Sequence, residues 1–258
     1  SGGDGGKATA ISLNVNTAIS GTVAIGGDGG AGGRGEAVSV GSLGTVITEG
    51  AHSVGILAQS VGGSGGTGGD STTVSVDLGF PMSPEDLMPA PSLSFDVSIG
   101  GDGGAGGVAG DVTVAGSGTV VTAGVFATGI LAQSVGGGGG AGGDARTFQI
   151  DLSANPSDFV PFMDLIQFES TLVIGGSGGA RGDGGAGTVE AGAAGELAIT
   201  TDGSFAHGLV AQSVGGGGGA GGNALTFAFS NTELPVDVPL LDDISGLANL
   251  SMVMEGGV

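Results

Sequence analysis

Two aspartates that close glycine-rich blocks carry the clearest chemical potential in the sequence. GGTGGD ends at Asp70, and GGAGGD ends at Asp144. Both segments match the first six positions of the nonapeptide GGxGxDxUx, whose tandem copies bind calcium. Carboxylate and backbone oxygens are the ligands that calcium prefers. Asp70 and Asp144 are therefore candidate calcium ligands.

The residues around these two blocks fit the calcium motif poorly. Thr72 or Arg146 occupies the position that should be apolar, the nonapeptides are not in tandem, and the third copy carries Asn223 in place of the aspartate. A glycine triplet whose third residue happens to be Asp is the favoured explanation of the match. We favour weak association of calcium with an acidic surface over a defined site, and we expect no other cofactor.

Other residues that could support catalysis do not form a set. His52 and His207 lie at different distances before the AQS motif that follows each of them, so they are expected to be exposed turn residues rather than one repeated ligand. The carboxylate pairs at 85–86 and 242–243 are typical of solvated loops, although a glycosidase uses such a pair. No Ser/His/Asp group follows any spacing logic. We therefore expect no enzymatic activity.

Glutamine and serine recur together at one position of a longer repeat. The motif AQSVGG begins at 58, 132 and 211. If the repeats stack in register, the glutamine amides and serine hydroxyls form ladders between neighbouring strands. A glutamine row that binds a ligand is the alternative. The predicted ladder residues are Gln59, Ser60, Gln133, Ser134, Gln212 and Ser213.

A repeat of about 75 residues must position all of these side chains. The segment IGG begins at 25, 99 and 174, in step with AQSVGG. Between the glycine blocks lie short runs of alternating apolar residues, such as DVTVAGSGTVVTAG at 111–124. These runs predict short strands and tight turns, and no segment has sustained helical periodicity. The expected fold is all-β, a repetitive β-solenoid (β-helix) in which 1–258 form one domain.

The glycine blocks are built from triplets. Val61, Ser64, Thr67 and Asp70 are separated by pairs of glycine. A polyproline-II helix has three residues per turn, so every third residue lies on one edge and the other two edges carry no side chain. Neighbouring backbones can then approach closely and exchange hydrogen bonds. We predict stacked polyproline-II-type segments along the solenoid, with flexible linkers as the alternative.

Composition and charge exclude several classes of partner. The 258 residues include 63 glycines and no cysteine, and 25 acidic against 4 basic residues give a net charge of −21. A chain of this charge repels phosphate groups, so nucleic acid is not expected as a partner. The sequence has no run of about 18 apolar residues, so no membrane span is expected in this segment.

Three insertions of different composition interrupt the repeat at one position, at 80–95, 154–170 and 230–254. They hold all eight prolines and all five methionines. Apolar loops on one side of a solenoid are suited to bind a partner, and folding back onto the strands is the alternative. The residues predicted to contact a partner are Phe80, Met82, Met88, Phe159, Phe162, Met163, Phe168, Leu240 and Leu241.

The stretch GILAQSVGGGGGAGG, with VTAG or ITEG upstream, resembles the glycine-rich passenger regions of large bacterial autotransporters, which are type V secreted surface proteins. The matching stretches are 55–70, 129–144 and 208–223. With the strands between them, they cover most of the chain outside the insertions. The resemblance implies a β-helical passenger of a Gram-negative bacterium, extracellular or held at the cell surface.

These observations predict a structural role. We expect a stalk or self-assembling fibre for adhesion, aggregation or matrix formation, which associates with itself head-to-tail or laterally because its end strands are open. A host, cell or matrix surface is the other expected partner. A receptor-binding adhesin that acts through the insertions is the alternative. An ice-binding protein needs a regular threonine array, which the sequence lacks, and this role and that of an enzyme are disfavoured.

Overall fold

The computed structural model describes residues 1–15, 19–41, 44–78, 92–152, 167–191, 195–230 and 249–256. The described residues form seventeen β-strands and no helix. The all-β prediction is therefore confirmed. The segments of apolar alternation between the glycine blocks supply these strands, as expected for β-branched residues on a pleated surface.

The strands assemble into five sheets, each containing equivalent strands of successive repeats. Sheet A contains β1 (Ala8–Val15), β6 (Ser71–Leu78), β11 (Ala145–Asp151), β16 (Asn223–Ser230) and β17 (Asn249–Gly256); sheet B contains β2 (Ile19–Ile25), β7 (Ser92–Ile99) and β12 (Gln167–Ile174). Sheet C contains β3 (Val38–Gly41), β8 (Val112–Gly116) and β13 (Gly187–Ala191); sheet D contains β4 (Thr45–Glu49), β9 (Gly118–Ala123) and β14 (Leu197–Asp202); sheet E contains β5 (Val54–Val61), β10 (Thr128–Val135) and β15 (His207–Val214).

Pairing within the sheets is parallel and keeps equal positions of the repeat side by side. In sheet E, for example, Ala58 pairs with Ala132, and Ala132 pairs with Ala211. The exception is β17, which pairs antiparallel with β16 at the end of sheet A. Along the chain the sheets are visited in the order A, B, C, D, E, and a glycine block follows each B strand and each E strand.

The glycine blocks lie side by side and are joined by their backbones. We call 26–37, 100–111 and 175–186 the B–C blocks, and 1–7, 62–70, 136–144 and 215–222 the E–A blocks. The two kinds alternate and run antiparallel, because Gly101, Gly104 and Gly107 of a B–C block donate to Gly69, Gly66 and Gly63 of an E–A block. The hydrogen bonds recur every third residue, which is the period of a polyproline-II helix.

The apolar core lies between sheets C, D and E. Val112 and Val114 of sheet C, Val120 of sheet D, and Ile130 of sheet E are fully buried there, with Ala58 and Ala132 between them. Each buried valine or isoleucine contributes about 1.5–3 kcal/mol of hydrophobic free energy. This cluster is the main apolar core of the described residues.

Sheets A and B are arranged the opposite way, with their polar sides facing one another. On β6, Ser71, Thr73 and Ser75 are buried, while the alternating apolar residues face outward. On β7, Asp96 and Ser98 are likewise buried. A two-sheet layer ordinarily buries its apolar faces. Here the strand alternation is the one predicted, but the side that faces the neighbouring sheet is polar.

The C-terminal ends of the three insertions belong to strands, so the insertions are shorter than the sequence indicates. Strand β7 begins at Ser92, β12 begins at Gln167, and β17 begins at Asn249, so these ends of the insertions are strands. Phe168 therefore lies in β12, where it pairs with Leu93. The other eight residues predicted to contact a partner lie outside the described residues.

Candidate functional site

The surfaces that join one repeat to the next are the most regular polar sites of the described residues. Their first component is a set of three continuous glycine ladders. In one ladder, Gly66 donates to Gly30, Gly104 to Gly66, Gly140 to Gly104 and Gly179 to Gly140, each over 2.8 Å. One ladder step thus joins a B–C block to an E–A block, and the ladder runs through all the repeats. These bonds satisfy backbone groups that no strand pairs.

Close approach explains why glycine occupies two of the three positions in most triplets of the blocks, with Glu36, Ala109 and Arg181 as the exceptions. A Cβ on Gly104 would overlap the carbonyl of Gly30, and one on Gly103 would overlap the carbonyl of Gly140. Gly138 occupies the third position, and a Cβ there would lie at an ordinary 3.7 Å from the carbonyl oxygen of Gly217. The third position is also where the sequence places Asp, Ser, Thr or Ala.

The backbone N–H of the third triplet position takes no part in the glycine ladders. An aspartate at the same position of the preceding repeat accepts a hydrogen bond from it. The N–H of Asp102 donates to Oδ1 of Asp28 over 2.9 Å. In the next repeat, the N–H and Oγ of Ser177 both donate to Oδ1 of Asp102 over 2.8 Å. These bonds from Ser177 hold the pKa of the Asp102 carboxyl below its ordinary value. Hydrogen bonds to an ionised carboxylate stabilise the charged form.

Asp70 and Asp144, the calcium candidates, belong to the same series. Oδ1 of Asp70 accepts from the N–H of Asp144 over 3.1 Å, and its Oδ2 lies 2.7 Å from Nζ of Lys7. The hydrogen bond from Lys7 is the largest cause that lowers the pKa of Asp70. Oδ1 of Asp144 accepts from the N–H of Asn223 over 2.9 Å, and Oδ2 lies 2.6 Å from Arg146. Both oxygens of each carboxylate therefore have protein partners.

The calcium prediction gains no further residue from the fold. Among the described residues, no three His, Cys, Asp or Glu side chains come together as a metal-binding group. Asn223, which replaces aspartate in the third copy, instead uses its N–H and side-chain amide as donors to Asp144. The substitution is compatible with the hydrogen-bonded series because Asn223 acts in it only as a donor to Asp144.

The three glutamines of the AQS motif form one column. Nε2 of Gln59 donates to Oε1 of Gln133 over 2.8 Å, and Nε2 of Gln133 donates to Oε1 of Gln212 over 2.9 Å. The column lies on the exposed side of sheet E. The interior amide, that of Gln133, donates once and accepts once, which is the arrangement that stacked amides favour.

Two of the serines beside these glutamines, Ser60 and Ser134, bond to glycine blocks rather than to one another. Oγ of Ser60 donates to the carbonyl of Glu36 and accepts from the N–H of Gly110. Oγ of Ser134 donates to the carbonyl of Gly110 and accepts from the N–H of Gly185. The hydroxyl ladder predicted for Ser60 and Ser134 is therefore replaced by links from sheet E to the B–C blocks.

An aromatic stack, which the sequence analysis missed, caps the turns between sheets D and E. The ring of Phe126 lies 5.1 Å from that of His52 and 5.1 Å from that of Phe205, with nearly parallel planes. All three residues have φ near +59°, a left-handed conformation that is costly for a bulky side chain. The signal available in the sequence is that all three residues lie at the same distance before the AQS motif that follows each of them. His207 is not part of this stack and lies at the start of β15, exposed.

The polar layer between sheets A and B contains buried groups in a dense hydrogen-bond network. Ser71 bonds to Ser98 over 2.7 Å, and Oγ of Ser75 donates to Oδ2 of Asp96. Asp96 is 2% exposed, its Oδ1 has no hydrogen-bond partner, and burial raises the pKa of its carboxyl above the ordinary value. A buried carboxyl of this kind favours the neutral form.

Comparisons with known proteins identify no relative. No family model matches the sequence, and neither a curated protein nor a solved structure gives a significant match. In the part of the chain that the structure describes, no helix is long and apolar enough to cross a membrane.

Proposed function

We propose that the chain is a segment of a structural surface protein, a stalk or self-assembling fibre whose repeats form the coils of a β-solenoid. The observation that carries the proposal is the glycine ladder that runs through every repeat. A binding domain or an enzyme has no need of a backbone lattice in which two residues of most triplets are glycine. A rod whose length is set by the number of repeats does need one.

The solenoid geometry is supported by the order in which the chain visits the sheets. Each repeat passes once through sheets A to E before the next repeat pairs with it in register. Sheets C, D and E surround an apolar core, and the glycine blocks lie between that core and the layer formed by sheets A and B. Closed coils stacked at about 4.8 Å place equal residues one above the other.

The resemblance to autotransporter passenger regions supports an extracellular or cell-surface location in a Gram-negative bacterium, and roles in adhesion, aggregation or a matrix. The ladders support head-to-tail contact, because every step joins one block to the next through the same backbone groups. A Cβ on Gly3, Gly6 or Gly33 would meet no atom within 4 Å. Another chain, or a preceding repeat, would find there the same donors and acceptors that join the interior repeats.

Electron microscopy of the purified chain in dilute buffer, with and without calcium, tests this proposal. Long uniform filaments or short rigid rods are the expected result, since both require ordered glycine blocks. Calcium is expected to leave single rods unchanged and only to reduce the repulsion between acidic chains. Featureless flexible coils would contradict the proposal.

A receptor-binding adhesin is a second candidate, supported by where the insertions leave the fold. Two insertions follow the paired ends of β6 and β11 and precede the paired starts of β7 and β12, so they leave the same side of the stack. In the first repeat, only residues 16–18 join β1 to β2. Replacing 79–91 by the sequence of 16–18 is therefore a conservative deletion. It should abolish binding to cells or matrix and leave the melting curve unchanged if the insertions bind a receptor.

An ice-binding surface is not favoured by the placement of the threonines. Thr48, Thr122 and Thr201 form one row in sheet D, but Thr122 is fully buried and faces the core. A buried row cannot present a flat array to ice. The enzyme alternative stays disfavoured on the sequence argument alone.

A further inference from the structure

The outer faces of sheets A and B are apolar and regular. In sheet A, the rows Ile11–Val74–Phe148–Phe227 and Leu13–Val76–Ile150–Phe229 cross the strands in register. In sheet B, the rows Val23–Val97–Leu172 and Ile25–Ile99–Ile174 do the same. We call the outward residues of these rows face A and face B.

The exposure of these faces is not an effect of the end strands alone. Strands β1 and β2 are edges, so the exposure of Ile11 or Val23 is expected. Phe148 and Ile150 lie on an interior strand and are still 37% and 36% exposed. The rings of Phe148 and Phe227 stack along face A at 5.3 Å. Aromatic and aliphatic side chains arranged in this way form a contiguous apolar patch, which on a folded protein marks a contact surface.

The rows of both faces contain no charged side chain, although the chain is strongly acidic, and Arg146 at the neighbouring outward position of β11 is paired with Asp144. The carboxylates of these sheets, such as Asp77 and Asp96, point into the polar layer between them. Among the described residues of sheets A and B, none of the outward positions carries a carboxylate. Two copies of a chain with a net charge of −21 repel each other. This repulsion is weakest when the copies approach through the uncharged rows of faces A and B.

We propose that faces A and B pair with the same faces of a second copy of this chain, so that rods associate side by side. A second copy matches the spacing of the rows at every repeat, because both faces have the same distance between strands. Sheets pack face to face at about 10 Å, which suits the interdigitation of Phe, Ile, Leu and Val. The inference deepens the proposed structural role and rests on it.

The geometry favours a second copy over a lipid surface. Sheets A and B are back to back, with Ser71 bonded to Ser98 across the polar layer, so their apolar faces point in opposite directions. A flat membrane would cover one face and leave the other in water. Pairing with copies on both sides covers both faces and builds a lateral array.

The area of one face predicts weak pairing that strengthens with repeat number. Four parallel strands of about eight residues present roughly 500 Å² of flat surface. A specific interface buries about 800 Å² on each partner. Association of the 258-residue chain is therefore expected only at micromolar concentrations or above, and each added repeat should lower the dissociation constant.

Sedimentation velocity over a range of concentrations tests the proposal with uncharged substitutions. The face A variant is Phe148→Thr with Ile150→Thr, and the face B variant is Val97→Thr with Leu172→Thr. The matched control is Ile47→Thr with Leu57→Thr, at apolar residues that are 65% and 57% exposed on sheets D and E. Threonine keeps the strand propensity and adds no charge, and circular dichroism melts check that each variant folds.

The native chain and the control should associate reversibly, and each face variant should weaken association at least ten-fold. A native chain that stays monomeric at about 200 μM overturns the proposal, as does equal weakening by the control. Flotation with neutral phosphatidylcholine vesicles, lost in the face variants, would assign the faces to lipid instead. A monomer that does not float would mean that other segments of the chain cover them.

Microscopy separates this inference from the proposed function. Rods that lie in pairs for the native chain and singly for the face variants support both. Rods that are always single leave the structural role standing and overturn the lateral pairing. Featureless coils overturn both.

Discussion

At the scale of single residues, the glycine triplet makes the sharpest prediction, since its positions differ in how much room they have. In Gly104→Ala, the new Cβ overlaps the carbonyl of Gly30, and neither backbone can move without breaking a ladder bond. Overpacking of this kind costs about 1–3 kcal/mol. Gly138→Ala places its Cβ in open contact and should stabilise the fold by about 0.4–1 kcal/mol, through a less flexible unfolded chain.

Chemical denaturation of both variants measures the difference. A lower midpoint for Gly104→Ala together with an unchanged or higher midpoint for Gly138→Ala is expected. Equal effects of the two substitutions would show that the glycines act as flexible linkers and not as packed surfaces.

The buried carboxyl of Asp96 gives stability a pH dependence of defined sign. Burial, with the nearby charge of Asp77 as a smaller cause, raises the pKa of Asp96 in the folded state. The folded protein then holds this proton more tightly than the unfolded chain does. The contribution of Asp96 to stability is complete below the unfolded pKa of about 3.9. It is lost as the pH rises through the folded pKa.

Asp96→Asn should therefore melt progressively higher than the native chain as the pH is raised from 4 to 8. The asparagine keeps an oxygen for Ser75 and carries no charge. Scanning calorimetry at several pH values gives the difference in melting temperature between the two proteins. Asp70 and Asp102 have lowered pKa values and an opposite pH dependence, but both are present in both proteins, so their effects cancel in this difference. A difference that does not change with pH would contradict the assignment.

At the scale of the elements, the D–E turn carries an energetic coupling between repeats. Phe126 stacks on Phe205 in the next repeat, and stacked aromatic pairs contribute about 0.5–1.5 kcal/mol beyond their buried area. A double-mutant cycle with Phe126→Ala and Phe205→Ala should return a coupling energy in this range. The matched pair Thr128→Ala and His207→Ala, which are also neighbours across repeats, should return a smaller one.

The elements also show which parts of the fold can be inferred from sequence. Alternation of apolar residues predicts the strands, and the recurrence of AQS is enough to place Gln59, Gln133 and Gln212 in one column, because equal positions pair in parallel strands. Alternation has a period of two on both faces, so it cannot tell which face is covered. The polar layer around Asp96 is therefore invisible to the pattern, and the usual assumption of an apolar interior gives the wrong side.

Two features of the candidate site escaped the sequence for different physical reasons. Ser60 and Ser134 recur as regularly as the glutamines, but a hydroxyl reaches only as far as the adjacent backbone. The groups of Gly110 and Gly185 lie closer to them than the next serine does. The aromatic stack was hidden because His52 replaces phenylalanine in the first repeat, so residue identity did not reveal the equivalence with Phe126.

At the scale of the whole molecule, stability depends on the number of interfaces between repeats. Each interior repeat contacts two neighbours through ladders, glutamines and strands, whereas the first repeat leaves one side open. In such arrays the free energy is close to a sum of repeat terms and nearest-neighbour terms. Stability should therefore rise with every repeat that is added in register.

Tandem duplication of 71–144, one full repeat, tests this dependence. The added copy begins with a sheet A strand and ends with an E–A block, so every ladder, the glutamine column and the aspartate series continue through it. Scanning calorimetry should show a melting temperature several degrees above that of the native chain.

The control is the same duplication without 139–141 in the added copy, which removes one glycine triplet and leaves the strands intact. This variant should gain less, because Gly140 is a step of the ladder between Gly104 and Gly179. Equal gains for the two duplications would mean that the sheets alone join the repeats and that the glycine lattice adds nothing to the stability of the rod.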